Sequence, residues 1–169
     1  SIFQQKYGGI SRYFYEIITR LLSFDAVDVD MFMGLFVNQY GLEEFKDAFD
    51  HYWGYSVPAI PRTARVRQFL NRLLWKKFQF HLSSTDDRIY HPTYYNYYGT
   101  AKAKTVFTVY DFTHERYPHF FPGDNTPDFK RKAFERADAL ICISESTKKD
   151  LLNLYPVRDS CKIKVVHLG

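Results

Sequence analysis

Apolar residues recur at Ile10, Tyr13, Phe14, Ile17 and Leu21, with Arg12, Glu16 and Thr19 on the opposite side. Steps of three and four predict an amphipathic helix, and this one opens directly after Gly8-Gly9. Val27 to Phe36 reads as a strand, Glu43 to Phe49 as a short helix, and Thr63 to Leu82 as a long helix with Phe69, Leu70, Leu73 and Phe80 on one face. Arg88 to His91, Thr105 to Tyr110, Ala139 to Ile143 and Ile163 to Val166 are short β-branched runs of the kind that form buried strands. Helical patterns from Asp128 to Ala137 and from Glu145 to Leu154 separate the last three of them. Strands spaced by helices of that length call for parallel crossovers and a sheet covered on both faces. The expected fold is therefore α/β, a Rossmann-like three-layer sandwich with a mainly parallel sheet.

In such a sheet the ligand crevice lies at the carboxyl ends of the strands. Three segments are expected to converge there: Gly8-Gly9 at a helix start, Asp111 to Arg116 after one central strand, and Ser144-Glu145-Ser146-Thr147 after the next. Each also has an ordinary structural explanation. Glycines make tight turns, charged residues populate solvated loops, and Ser144 is a good helix cap. Yet the run Lys104 to Pro118 passes from strand formers into Asp111, His114, Glu115 and Arg116 with no turn signal between. A strand that looks buried thus ends in four ionisable groups.

Bulk composition narrows the classes. With 169 residues, 46% hydrophobic and 25% charged, the chain suits one soluble globular domain. A net charge of +4 gives no reason to expect a nucleic-acid partner. Aromatic residues reach 19%, surplus ring surface for packing, stacking on a ligand or an interface. Cys142 lies in an apolar run and Cys161 in a loop, with no C-x-x-C or metal-site spacing, which fits reduced thiols and a cytoplasmic chain. No apolar run approaches the roughly 20 residues of a spanning helix, and the first residues carry no signal-sequence pattern.

Five segments in order, K-Y-G-G-I-S-R-Y, I-Y-H-P-T-Y-Y, T-V-Y-D-F-T-H-E-R-Y-P, R-A-D-A-L-I-C-I-S-E-S-T-K-K-D-L and K-I-K-V-V-H-L-G, resemble the N-terminal half of a retaining glycosyltransferase of family 4, mannosyltransferase-like. The resemblance implies one half of a two-domain glycosyltransferase B fold, spanning residues 1–169. It would hold the acceptor, a glycan or lipid-linked saccharide, while the nucleotide-sugar donor binds mainly to a second half. That implies a nucleotide-sugar as co-substrate, no other cofactor and no obligatory metal. Gly8 and Gly9 would stand beside the leaving diphosphate, where a missing Cβ lets backbone N–H groups approach phosphate. His114, at the family's D-x-x-H position, would hydrogen-bond the transferred sugar and stabilise charge developing at its anomeric carbon. Asp111, three residues earlier, is expected to fix its tautomer. An exposed loop histidine is the competing explanation.

His91, Tyr94, Tyr95, Asp111, Ser144, Glu145 and Thr147 are the acceptor-pocket candidates, with Tyr97 and Tyr98 beside them. Tyrosine offers a sugar a flat ring and a hydroxyl, and a packed loop accounts for the same residues equally well. Asp111 also reads as a loop cap, and Glu115 with Arg116 as an exposed pair worth little. The chain departs from the family pattern at both ends. Only Ile2-Phe3 stands where a first strand is expected, and the sequence stops at Gly169 without a donor-binding half. The fragment alone is expected to be inactive.

Arg65, Arg72 and Lys76 flank the apolar stripe of the 63–82 helix, with Lys77 inside it. Such a helix either covers a sheet with a solvated basic edge or lies on the inner face of an anionic membrane. Two rival functions remain. Asp111, His114, Glu115, His119 and His91 could ligate the metal of a hydrolase, although no H-x-H or H-E-x-x-H spacing occurs. A non-catalytic module holding a glycan or partner chain is the other. A dinucleotide-dependent oxidoreductase is disfavoured, since G-x-G-x-x-G appears nowhere.

Overall fold

The computed structural model of the chain describes residues 8–37, 40–60, 62–83, 87–95 and 103–168. Ile2-Phe3, Tyr97 and Tyr98 lie outside them. The chain divides into two compact units, Ser1–Ser84 and Thr85–Gly169.

In the first unit the glycine pair opens α1, Gly9–Leu21, which buries Phe14 and Ile18 one turn apart. Strands β1, Asp30–Phe36, and β2, His51–Ser56, run parallel. The segment Leu42–Ala48 between them is a 3-10 helix. Helix α2, Ala64–Ser83, packs on β1 through residues other than those the sequence pattern selects. Phe78 is buried, with Phe32 at 5.1 Å, Trp53 at 6.2 Å and Trp75 at 5.4 Å between ring centroids. The expected face points outward: Phe69 is 62% exposed and Phe80 81%, and Leu70 and Leu73 are exposed with them. Both sides of α2 are apolar, and the side carrying Trp75 and Phe78 buries the larger rings.

Asn71 fixes that choice. Its amide oxygen accepts from the Leu35 N–H at 2.6 Å and its amide nitrogen donates to the Leu35 carbonyl at 3.1 Å. The bond is reached because β1 slips register between Phe32 and Gly34, with Gly34 at φ +65°. A Cβ on Gly34 would stand 2.5 Å from the Asn71 oxygen, so both conformation and space require glycine there.

The second unit has the α/β architecture expected of the whole chain. Its sheet is β3, Ile89–Tyr90; β4, Lys104–Val109; β5, Ala139–Cys142; and β6, Lys162–Val165, all neighbours parallel in the order β3-β4-β5-β6. Between β4 and β5 come α3, Thr113–Arg116, a 3-10 turn Pro118–Phe120, and α4, Thr126–Phe134. Helix α5, Glu145–Leu154, returns the chain to β6. The core is Phe107 and Val109 of β4, Leu140 and Cys142 of β5, Ala133 and Phe134 of α4, and Leu151 and Tyr155 at α5, closed by Tyr95 and Phe112. Asp138 locks the strand starts. Its carboxylate accepts from the Thr105 N–H at 2.8 Å, and its own N–H donates to the Thr105 carbonyl at 2.9 Å.

Candidate functional site

Because β3, β4 and β5 are parallel, His91, Asp111 and Ser144, each just past a strand end, stand at one edge of the second unit's sheet. Gly8 and Gly9 belong to the first unit. The four ionisable groups after β4 are each accounted for by a partner. Asp111 accepts from the Thr113 N–H at 2.9 Å, which starts α3. Arg116 clamps the Asp150 carboxylate with Nη2 and Nε, the latter at 3.1 Å. Glu115 is not an exposed partner of Arg116 but a buried acceptor: Lys130 donates to one of its oxygens at 3.0 Å and the Tyr155 hydroxyl to the other. Arg116 and Glu115 thus point to different partners, 34 and 15 residues on.

Lys130 sits in the middle of α4 and is 2% exposed. Its ammonium also donates to the Asp111 carbonyl at 2.8 Å and lies over the rings of Phe112 and Tyr95, at 5.0 and 5.4 Å from their centroids. A buried cation is stable only when paired and hydrogen-bonded, and here a carboxylate, a carbonyl and two ring faces do both. Burial, and then the Glu115 carboxylate that it serves, push the Tyr155 phenol far up, so it stays a donor.

His114 follows directly on this anchor. Its Nδ1 meets the Asp124 carboxylate rather than Asp111, and its ring stacks on Phe121 with centroids 4.2 Å apart and planes 27° from parallel. The sequence reading placed the orienting carboxylate three residues before the histidine, and the structure supplies it ten residues after. Gly123, at φ +76°, turns the chain so that Asp124 faces back. Asp124 also accepts from the Thr126 N–H at 3.2 Å and hydroxyl at 3.0 Å. Burial raises its carboxyl, but the Thr126 donors and the His114 imidazole outweigh that and hold it below the usual carboxylate range. With Nδ1 engaged, Nε2 is the nitrogen that His114 offers to a ligand.

The remaining candidates are unevenly placed. Tyr94 is half-buried and borders the same network through Thr126, with burial raising its phenol. Tyr95 is enclosed: its hydroxyl accepts from the Tyr110 N–H at 3.4 Å and its ring packs edge-on to Phe134 at 5.6 Å. His91 Nε2 bonds the Thr108 hydroxyl at 3.0 Å, and desolvation lowers its pKa to about 4, keeping the ring neutral. Ser144 caps α5, its hydroxyl accepting from the Thr147 N–H at 3.1 Å, while Thr147 is buried and Glu145 exposed in the first turn. Burial pushes the Cys142 thiol up to about 11, and Cys161 is raised likewise, so both stay protonated.

Gly9 is placed otherwise than the structural glycine at 34. Among the described residues nothing lies within 4 Å of where its Cβ would be, and Gly8, at φ −179°, is extended backbone open to any residue. Tyr40 brackets Gly8, accepting from its N–H at 3.4 Å and donating to its carbonyl at 3.3 Å. Packing among the described residues therefore gives no reason for glycine at 9.

Among the described residues, no trio from Asp111, His114, Glu115, His119 and His91 brings metal-ligand atoms together. The grouping that does is Asp30, His51 and His81 of the first unit, none of which the sequence pattern singled out. Of the other residues the sequence missed, Asp124, Thr126 and Lys130 sit on or before α4 with no motif to mark them.

The model of Glycosyltransferase Family 4 matches residues 7–169, nearly the whole chain. The chain belongs to this family. Neither a curated protein nor a solved structure matches it. Membership fits the parallel sheet of this glycosyltransferase domain.

Two outcomes test the family 4 domain's interior. Lys130→Met strands the Glu115 carboxylate and is expected to cost about 3–5 kcal/mol of stability in urea unfolding; adding Glu115→Leu should restore most of it, and a small loss in the single variant would contradict the anchor. For His91, the folded pKa near 4 lies below the ordinary 6.5. The unfolded chain therefore takes up a proton first, and stability falls as pH drops from about 6.5 to about 4, by up to about 3 kcal/mol. In His91→Gln that part of the pH dependence should vanish; an unchanged profile would show that burial does not perturb this ring.

Proposed function

We propose that this domain is the acceptor-binding half of a retaining glycosyltransferase that moves a sugar, with mannose the leading candidate, from a nucleotide-sugar to a glycan or lipid-linked acceptor. The observation that carries the reading is the His114 imidazole, held by Asp124 and Phe121 at the carboxyl edge of the sheet with Nε2 left for a ligand. Retaining transfer breaks the bond from the anomeric carbon to the diphosphate and forms one to an acceptor oxygen on the same face, while the acceptor proton departs. Positive charge grows on the sugar ring and negative charge on the diphosphate. A fixed imidazole at the sugar stabilises the first without reorganising as charge develops. For the second, the partial positive charge of the α1 N-terminus suits a phosphate, and Gly9 puts no side chain between such a group and the backbone.

Tyr94 and Glu145, both accessible at the same edge, are the acceptor contacts this reading favours. Tyr95, Ser144 and Thr147 support them from inside, and His91 does so as a neutral ring. The basic, apolar outer face of α2 is the proposed contact with an anionic membrane that carries such acceptors. Among the described residues no helix is long and apolar enough to cross one.

In a chain carrying both halves, His114→Ala is expected to lower transfer on the order of 10²-fold. Gly9→Ala should lower transfer while leaving Tm unchanged or higher, since alanine favours a helix over glycine by up to about 1 kcal/mol. Wild-type transfer in either variant would remove that residue from the site; glycan binding without any transfer in the parent chain would favour a binding module. Cosedimentation with phosphatidylglycerol vesicles tests the membrane contact: Arg65→Glu with Arg72→Glu should weaken it about tenfold or more, at about 1 kcal/mol per basic residue. Equal binding to neutral and anionic vesicles would sink it.

A further inference from the structure

The first unit holds a cluster that the transfer reaction does not use. Register places Asp30, the first residue of β1, opposite His51, the first residue of β2. Helix α2 lies over β1 and brings His81 in its last turn to the same corner. The His51 Nδ1 stands 3.0 Å from one Asp30 oxygen and the His81 Nε2 3.2 Å from the other, with the two imidazole centroids 4.2 Å apart. The Asp30 carboxylate is 6% exposed, His81 23% and His51 49%, so the group is anchored inside and opens to solvent through His51.

From this geometry we infer that Asp30, His51 and His81 form a binding site for a divalent transition-metal ion of the zinc class. Zinc bonds imidazole nitrogen and carboxylate oxygen at roughly 2.0–2.2 Å, and two such bonds opened by about 90–110° set their ligand atoms roughly 2.9–3.4 Å apart. Each nitrogen stands within that window of a different Asp30 oxygen, which suits a carboxylate that ligates through both oxygens. One ligand atom from each residue lies within 4.8 Å of the others, so rotation of the half-exposed His51 ring closes the third edge.

The donor set chooses the ion. Two imidazoles with one carboxylate suit zinc and its neighbours. Calcium and magnesium want more oxygen than a single carboxylate supplies. The end of α2 adds carbonyl dipoles that favour a cation. Lys76 and Lys77 line a shallow hollow with Trp53, Phe80 and His81. Being exposed, their charges reach the site mainly through screening solvent, and they suit an anion as the ion's fourth ligand. The ion would tie β1, β2 and α2 together and stabilise the first unit, independently of sugar transfer.

Equilibrium dialysis of the chain against zinc chloride, with the bound metal counted and Tm recorded, tests the site. Wild-type protein is expected to hold one zinc per chain, with a rise in Tm that saturates at one equivalent and is absent with magnesium. His51→Gln and His81→Gln, which keep polar side chains, should each weaken binding by about tenfold or more, the scale seen even for groups that only orient ligands. His114→Gln and His119→Gln should bind as wild type. If His81→Gln failed to fold, the solvent-facing His51→Gln would decide alone. No stoichiometric zinc in the wild type, undiminished zinc in His51→Gln, or loss of zinc in the His114 or His119 variant would each overturn the assignment.

Discussion

Burying the charge of Lys130 is the constraint from which the order of the second unit follows. An ammonium group lying over the rings of Tyr95 and Phe112 cannot remain there unmatched. The match is made by the Asp111 carbonyl and the Glu115 carboxylate, which lie on either side of the α3 start. The segment after β4 is thereby held at both ends by one side chain from α4. Tyr155, at the end of α5, takes the remaining carboxylate oxygen, so that α3, α4 and α5 share a single polar knot inside an apolar core.

The knot matters because α3 has no means of holding itself. Four residues are too few for a helix to persist on backbone bonds alone. Its orientation comes from four side-chain ties: Asp111 to the Thr113 N–H, Glu115 to Lys130, Arg116 to Asp150, and His114 to Asp124. The first three fix the backbone, and the fourth sets the ring. A histidine on a free loop would lose most of its rotamer freedom on meeting any ligand. Here folding has already taken that loss.

Much of the architecture was legible in the sequence because β4, β5 and β6 are bounded by clear helical periods. Thr105 to Tyr110, Ala139 to Ile143 and Glu145 to Leu154 were each placed to within two residues of the observed bounds. Strand β2 was missed because Gly54 interrupts it and its residues are half-exposed without clean alternation. Helix α2 was turned the wrong way round because both of its sides are apolar, and periodicity cannot say which one meets a sheet. The polar partners were illegible for another reason. His114 and Asp124, Glu115 and Lys130, Arg116 and Asp150 are separated by 10, 15 and 34 residues, and tertiary folding alone brings them together. Local spacing therefore suggested Asp111 for His114, and Arg116 beside Glu115.

The two glycine environments of the first unit show how packing and chemistry can be told apart. Gly34 is surrounded: its positive φ and the Asn71 amide at its α-carbon leave no room for any other residue, and its purpose is exhausted by the join between α2 and β1. Gly9 is ordinary helix, and among the described residues no atom stands where its Cβ would be. Glycine costs a helix stability relative to alanine, so a position that could accept alanine without contact carries a penalty that packing of the described residues does not repay. Under the proposed transfer from a nucleotide-sugar, the missing side chain is accounted for if the departing diphosphate, rather than the fold, occupies the place beside it.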